Sequence, residues 1–244
     1  MSQPHTYQPR SLIAPLAVPL FLVLIMWVVF LIEFETNSNF AQYGLKPRTL
    51  SGLLGIFTIP FLHGSWSHLI NNTVPMLILG WALFKFYPTL AVKTLIWIYL
   101  MGGVWLWISG RSFYHIGASG IVYGMAAFLF FSGWLRREKR VAALSLLVAF
   151  MYGGMWWGIL PVDPSISWEG HFWGGFAGIV LAFAFRKKGP QKQVYHWDDE
   201  DETEEENENA EEISLESQTN PPANSVNIVY SYKPSEPNSD KPAI

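Results

Sequence analysis

Six apolar runs follow one another through most of the chain, roughly Leu12 to Ile32, Leu69 to Phe86, Leu90 to Ile108, Ile121 to Leu135, Val141 to Leu160 and Phe172 to Phe185. Crossing a hydrocarbon core of about 30 Å takes about 20 helical residues. The pattern therefore predicts an all-α polytopic membrane protein with six transmembrane helices. The first run lacks a small-residue cleavage site and is too long for the apolar part of a signal peptide, so it is expected to remain as the first span. Pro15 and Pro19 fall in its first turns, where proline is tolerated because the early N–H groups of a helix have no intrahelical acceptor.

Residues 33 to 66 mix apolar and aromatic positions such as Phe40, Tyr43, Leu54 and Phe57 with Gly44, Pro47, Gly52, Gly55 and Pro60. This is neither a clean span nor a polar loop, and it is expected to lie partly in the membrane interface. Beyond Gln191 the acidic run Asp198 to Glu202, the glutamates Glu204 to Glu206 and then Pro, Asn and Ser leave almost nothing apolar to bury, so a disordered acidic tail is expected. The predicted organisation is a short cytoplasmic N-terminus at 1–10, a six-helix domain at 11–188 and a solvated cytoplasmic tail at 189–244.

Composition sharpens this picture. With 50% hydrophobic, 16% aromatic and only 14% charged residues, an ordinary soluble domain is excluded. The net charge of -3 conceals an asymmetry: residues 1–197 carry 14 Lys and Arg against five acids, a net of +9, and residues 198–244 carry two Lys against 14 acids, a net of -12. Basic residues orient membrane helices. With a cytoplasmic N-terminus, the inner face collects Arg10, Lys85, Lys93, Arg136, Arg137, Lys139, Arg140, Arg186, Lys187, Lys188 and Lys192, and the outer loops hold only Lys46, Arg48 and Arg111. There is no cysteine, which excludes disulfides, thiolate nucleophiles and Cys-type zinc sites. No cofactor and no nucleic-acid partner is implied.

In that orientation the second, fourth and sixth runs all begin on the outer side, with His63, His68 and Asn72, then Ser119, then His171. Counting back from the basic anchors at about 1.5 Å per residue puts Asn72 about 20 Å and His68 about 26 Å from Lys85, Ser119 about 26 Å from Arg136, and His171 about 22 Å from Arg186. These independent counts meet in one layer just below the outer surface. Gly120 and Gly124, and Gly170, Gly174 and Gly178, recur at every fourth position, the spacing that lets membrane helices approach closely. His171 shares a helix face with Gly174 and Gly178, and Ser119 begins the corresponding face of the fourth run.

A serine hydroxyl becomes a nucleophile only when a base takes its proton, and His171 is the base that the layer supplies. His68 and Asn72, four residues apart on one face, are candidate donors to an oxyanion together with the Ser119 N–H at the helix start. Tyr123, one turn below Ser119, is placed to stack on His171. Taken singly, each residue has a plainer explanation: a serine between glycines as a packing residue, Asn72 as helix-to-helix glue, His63 or His115 as a partner for a loop carbonyl.

The combination His68-xxx-Asn72, Gly117-Ala118-Ser119-Gly120 with Tyr123, and Gly170-His171-xx-Gly174-xxx-Gly178, in that order on alternate runs, resembles the rhomboid intramembrane serine proteases over about residues 11 to 188. The resemblance implies a six-helix rhomboid core with a water-filled cavity open to the outer side. It implies Ser119 as nucleophile, His171 as general base, and His68, Asn72 and the Ser119 amide as oxyanion hole, with His63 a structural histidine. Gly117, Gly120, Gly174 and Gly178 support the site. Implied substrates are single-pass membrane proteins in the lipid bilayer of the cell membrane. One departure stands out: many family members carry a Trp-Arg pair in the first outer loop, and this loop has Arg48-Thr49 without the tryptophan.

Other readings compete. A metal-dependent membrane protease would use His63, His68 and His171 as ligands, but no HExxH is present and no acid lies in the helices near them. An inactive rhomboid relative would bind membrane clients without cutting them, and a transporter would place its polar residues at mid-bilayer rather than near one face.

Overall fold

A computed structural model describes residues 13–137, 139–151, 157–164 and 166–189. Within them the chain forms seven α-helices: α1 (Ala17–Glu35), α2 (Leu50–Thr58), α3 (Trp66–Phe86), α4 (Ala91–Ser109), α5 (Ser119–Leu135), α6 (Lys139–Met151) and α7 (Trp168–Ala184). The single β-bridge among the described residues joins Leu45 to His115. Three helical stretches, Ala14–Glu35, Trp66–Phe86 and Ala91–Ser109, are long and apolar enough to cross a membrane, and Ser119–Leu135 is apolar but shorter. The fold class is therefore the all-α membrane class that the hydropathy pattern predicts. The predicted features of residues 1–10 and of the acidic tail lie outside the described residues, as does part of the fifth apolar run.

The predicted first span is shifted. A 3-10 turn, Ala14–Leu16, leads into α1, which carries Pro19 in its first turn and continues past Ile32 to Glu35. The connection at 33–66 holds more regular structure than its glycines suggest. Thr49 caps α2 by accepting the Gly52 N–H at 3.1 Å. A side chain at Gly52 would run into the Lys46 backbone, and one at Gly55 into the backbone of Gly44 and Leu45. The glycines that read as helix breakers are in fact what lets a short helix lie against the preceding loop. Trp107 of α4 also reaches the first loop, donating its indole N–H to the Thr49 carbonyl at 2.9 Å. Arg48, at φ 57°, caps the end of α4 by donating to the Gly110 carbonyl at 2.8 Å.

α5 is the central helix. Phe128, Met125 and Leu129 are fully buried, and its most extensive packing is against α7, followed by α6 and α3. The α5–α7 contact is made by backbone. A Cβ on Gly174 would fall on the Gly120 carbonyl, and one on Gly178 on the Gly124 carbonyl. Ridges of larger side chains would hold two helices about 8–10 Å apart. Glycine at every fourth position removes the ridge and lets the axes close.

This contact is tested by adding single methyl groups. Gly174→Ala and Gly178→Ala are expected to destabilise the protein by about 1–3 kcal/mol each through overpacking. Gly175, which has nothing within 4 Å of its would-be Cβ, serves as control: Gly175→Ala should be neutral or stabilising by up to about 1 kcal/mol. Unfolding midpoints in detergent decide it, and three equal midpoints would reject the backbone-contact account.

Candidate active site

The glycine contact brings the start of α5 against the start of α7. Ser119 is the first residue of α5, and no side chain caps that helix end. Its Oγ lies 2.8 Å from His171 Nε2. The other ring nitrogen, Nδ1, lies 2.8 Å from the carbonyl oxygen of Gly158, in the turn between α6 and α7. A carbonyl can only accept. Nδ1 therefore carries the ring proton, Nε2 is bare, and the serine hydroxyl is the donor in the Ser119–His171 bond. Tyr123 lies almost parallel to the imidazole, with ring centroids 4.3 Å apart and planes 7° apart, so it covers one face of His171.

Gly117 shapes the approach to the serine. Its φ of 109° suits glycine alone, and its N–H donates to the Ile59 carbonyl at 2.8 Å. A Cβ there would meet His68 Nε2 at 2.5 Å, with Asn72 Nδ2 at 3.7 Å, so both α3 side chains sit against the loop that delivers Ser119. Asn72 is buried and spends one amide hydrogen on the His68 carbonyl of its own helix at 3.0 Å, leaving a second hydrogen on Nδ2. Ser119, His171, His68, Asn72 and Tyr123 line one cavity of ≈ 900 Å³.

His63 is not in the cavity lining. It is 1% exposed and packs edge-to-face on His68 with centroids 5.0 Å apart. The Phe61 carbonyl approaches it outside hydrogen-bonding geometry, and neither ring nitrogen makes a hydrogen bond among the described residues. Burial, and then the neighbouring His68, push its pKa down to about 3. Among the described residues no group of three or more His, Asp or Glu is arranged to hold a metal ion.

A rhomboid-domain family model matches residues 51–188, more than half of the chain and all of the helices that carry these side chains. The chain belongs to the rhomboid family. It is similar to uncharacterized proteins of Mycobacterium tuberculosis and Mycobacterium bovis, 34% identical over 192 residues that cover 73% of this chain and 78% of theirs. A Mycobacterium leprae protein is 34% identical over 171 residues, 65% of this chain and 66% of its own. As a rhomboid, the protein resides in a membrane.

Residue-pattern reasoning missed Gly158, because a backbone carbonyl leaves no mark on the side-chain sequence. It also missed the pairing of His115 with Ser167, at 2.6 Å, although His115 was a candidate partner for a loop carbonyl and does contact one, that of Arg111, at 3.1 Å.

His63 gives a pH test. A histidine held neutral in the fold but titrating near 6.5 in the unfolded chain makes the unfolded state bind more protons between about pH 3 and pH 6.5. Stability must then fall as pH drops through 6.5. The thermal midpoint of the wild type should decline from pH 7.5 to pH 4.5, and that of His63→Phe should decline less; parallel curves would show that His63 is not the acid-sensitive group.

Proposed function

We propose that this rhomboid is an intramembrane serine endopeptidase in which Ser119 is the nucleophile and His171 the general base. The observation that carries the reading is the 2.8 Å Ser119–His171 hydrogen bond, with the imidazole held by a carbonyl in the one tautomer that can accept the serine proton. As Ser119 Oγ attacks a scissile carbonyl carbon, its proton passes to His171 Nε2. The carbonyl oxygen becomes an oxyanion beside the uncapped Ser119 N–H at the start of α5, where the N–H groups have no intrahelical acceptor. His68 and Asn72 supply the remaining donors. His171 then returns the proton to the leaving amine, and water repeats the sequence on the acyl-enzyme.

The proposed topology puts both termini in the cytoplasm and opens the cavity outward, following the basic residues. α5 spans 17 residues, about 25 Å, against a hydrocarbon core of about 30 Å. Anchored at Arg136 on the inner side, it ends short of the outer surface, so Ser119 lies inside the membrane yet within reach of water. Proposed substrates are single-pass membrane proteins, cut near the outer end of their transmembrane helix. A scissile bond mapped to the cytoplasmic half of a substrate would contradict this placement.

Four folded variants assign the roles. Ser119→Ala and His171→Ala should each abolish hydrolysis, and His171→Ala should also abolish labelling by a serine-directed fluorophosphonate, since the hydroxyl is then unactivated. Asn72→Ala and His68→Ala should remain labelled and lower kcat by roughly 10- to 1,000-fold, about 1.4–4 kcal/mol of transition-state stabilisation, with little change in KM. Chelators should have no effect. Hydrolysis retained by Ser119→Ala would end the serine protease reading, and client binding with no hydrolysis by the wild type would favour a non-cutting rhomboid.

A further inference from the structure

Ser167 stands at the N-cap of α7, where a serine ordinarily accepts an N–H of the first turn. Here it makes no cap bond. Its Oγ is instead 2.6 Å from His115 Nδ1. His115 Nε2 lies 3.1 Å from the Arg111 carbonyl, an acceptor only, so Nε2 carries the proton and the Ser167 hydroxyl donates to Nδ1. The arrangement repeats that of Ser119 and His171 with the helices exchanged. His115 and Ser167 each stand four residues before Ser119 and His171, and both bonds join residues 52 apart.

Everything around this pair is tied down. His115 is fully buried, and its backbone bonds to Leu45 in both directions at 2.8 and 3.0 Å. Two residues beyond Ser167, Glu169 is 4% exposed and takes Arg111 Nε at 2.5 Å, Nη2 at 3.0 Å and the Arg111 backbone N–H at 3.2 Å. Arg111 Nη2 also donates to the Ile166 carbonyl at 2.9 Å. The loop that leads into α5 is thus bonded, by side chains on both sides, to the turn that leads into α7.

We propose that the Ser167–His115 hydrogen bond, backed by the Arg111–Glu169 ion pair, is a positioning rung that sets the spacing of Ser119 from His171. This inference rests on the serine protease reading. The glycine contacts set how closely α5 approaches α7, but backbone against backbone at those positions does not by itself fix the register along the contact. A polar rung joining the residues four positions before the reacting pair on each side fixes that register. Ser167 is a poor nucleophile by comparison: its base is fully buried, and its Oγ is crowded against Gly170, 2.8 Å from where a Cβ would stand there.

The test uses the full chain in detergent, with Ser167→Ala, Ser167→Thr and Glu169→Gln, reading kcat, KM and the rate at which a fluorophosphonate modifies Ser119. Misplacement of reacting groups on the order of 1 Å costs up to about 100-fold. Ser167→Ala should therefore lower kcat and the labelling rate together by about 10- to 100-fold with KM nearly unchanged, and Ser167→Thr, which keeps the hydroxyl, should restore both. If Ser167→Ala does not fold, Glu169→Gln is read in the same way: a fall in kcat without a rise in KM supports the rung, and no fall overturns it. Wild-type kcat in Ser167→Ala, a threonine variant as impaired as the alanine one, or a fluorophosphonate adduct on Ser167 in Ser119→Ala would each overturn it. Hydrolysis by Ser119→Ala would remove the protease reading itself, whereas normal Ser119 labelling across the Ser167 and Glu169 variants would remove this inference alone.

Discussion

The backbone contact between α5 and α7 is the constraint on which the rest depends. A serine Oγ is two bonds from its Cα, so a histidine on another helix reaches it only when the two backbones nearly touch. Gly120, Gly124, Gly174 and Gly178 provide that approach, and in a membrane such packing is favoured by van der Waals contact because lipid offers no hydrophobic drive between helices. The interface that holds the fold is thereby also the one that brings the candidate nucleophile to its base. A larger residue at these glycines would cost both.

Around that contact several polar side chains away from the cavity find a partner close by, as a low-dielectric surrounding favours. The Trp27 indole donates to Thr73 Oγ1 at 3.0 Å, Trp173 to Ser109 Oγ at 2.6 Å, and Thr73 itself to the Leu69 carbonyl at 2.8 Å. Each bond ties neighbouring helices or turns without leaving a free donor in apolar surroundings. Arg136, 6% exposed at the end of α5, donates to the Phe185 carbonyl at 2.5 Å and lies over the Tyr87 ring. The cavity is different in kind. Its lining gathers histidines, serines and Asn71 and Asn72 on facing walls, and such a concentration is affordable only where water enters.

Residues that act through periodicity or depth were legible in the sequence. The spacing of Gly174 and Gly178 locates the packing face, and a count from the basic anchors brings Ser119, His171, His68 and Asn72 to one level; in the structure all four line one cavity. Residues that act through backbone or through long-range pairing were not. Gly158 contributes a carbonyl, which every residue has. The pattern of apolar runs places no acid in the helices near the histidines, yet Glu169 stands in the first turn of α7, two residues before His171, because α7 begins earlier than the apolar run it carries; nothing in its neighbourhood points 58 residues back to Arg111. The α2 helix was hidden for a related reason: Gly52 and Gly55 are unfavourable for an isolated helix, and only the loop packed against them shows that the missing side chains make room.

If the site lies within the membrane as proposed, a carbonyl rather than a carboxylate behind His171 has a physical reason. A carboxylate would orient the imidazole equally well and would stabilise the imidazolium that forms when the serine proton is taken. Its own charge, however, would have to be carried into a layer bounded by hydrocarbon, at a cost of several kcal/mol unless it were fully paired. Pairing it with a cation would cancel the field it was meant to supply. The one buried carboxylate nearby, Glu169, is so paired, with Arg111 at the loop, and does its work as a tie between segments. The Gly158 carbonyl gives the tautomer and the orientation through a dipole, which needs no counter-charge and no large desolvation. In the proposed mechanism the burden of stabilising charge in the transition state then falls on the oxyanion side, on the uncapped end of α5 and the side chains of α3 that line the same cavity.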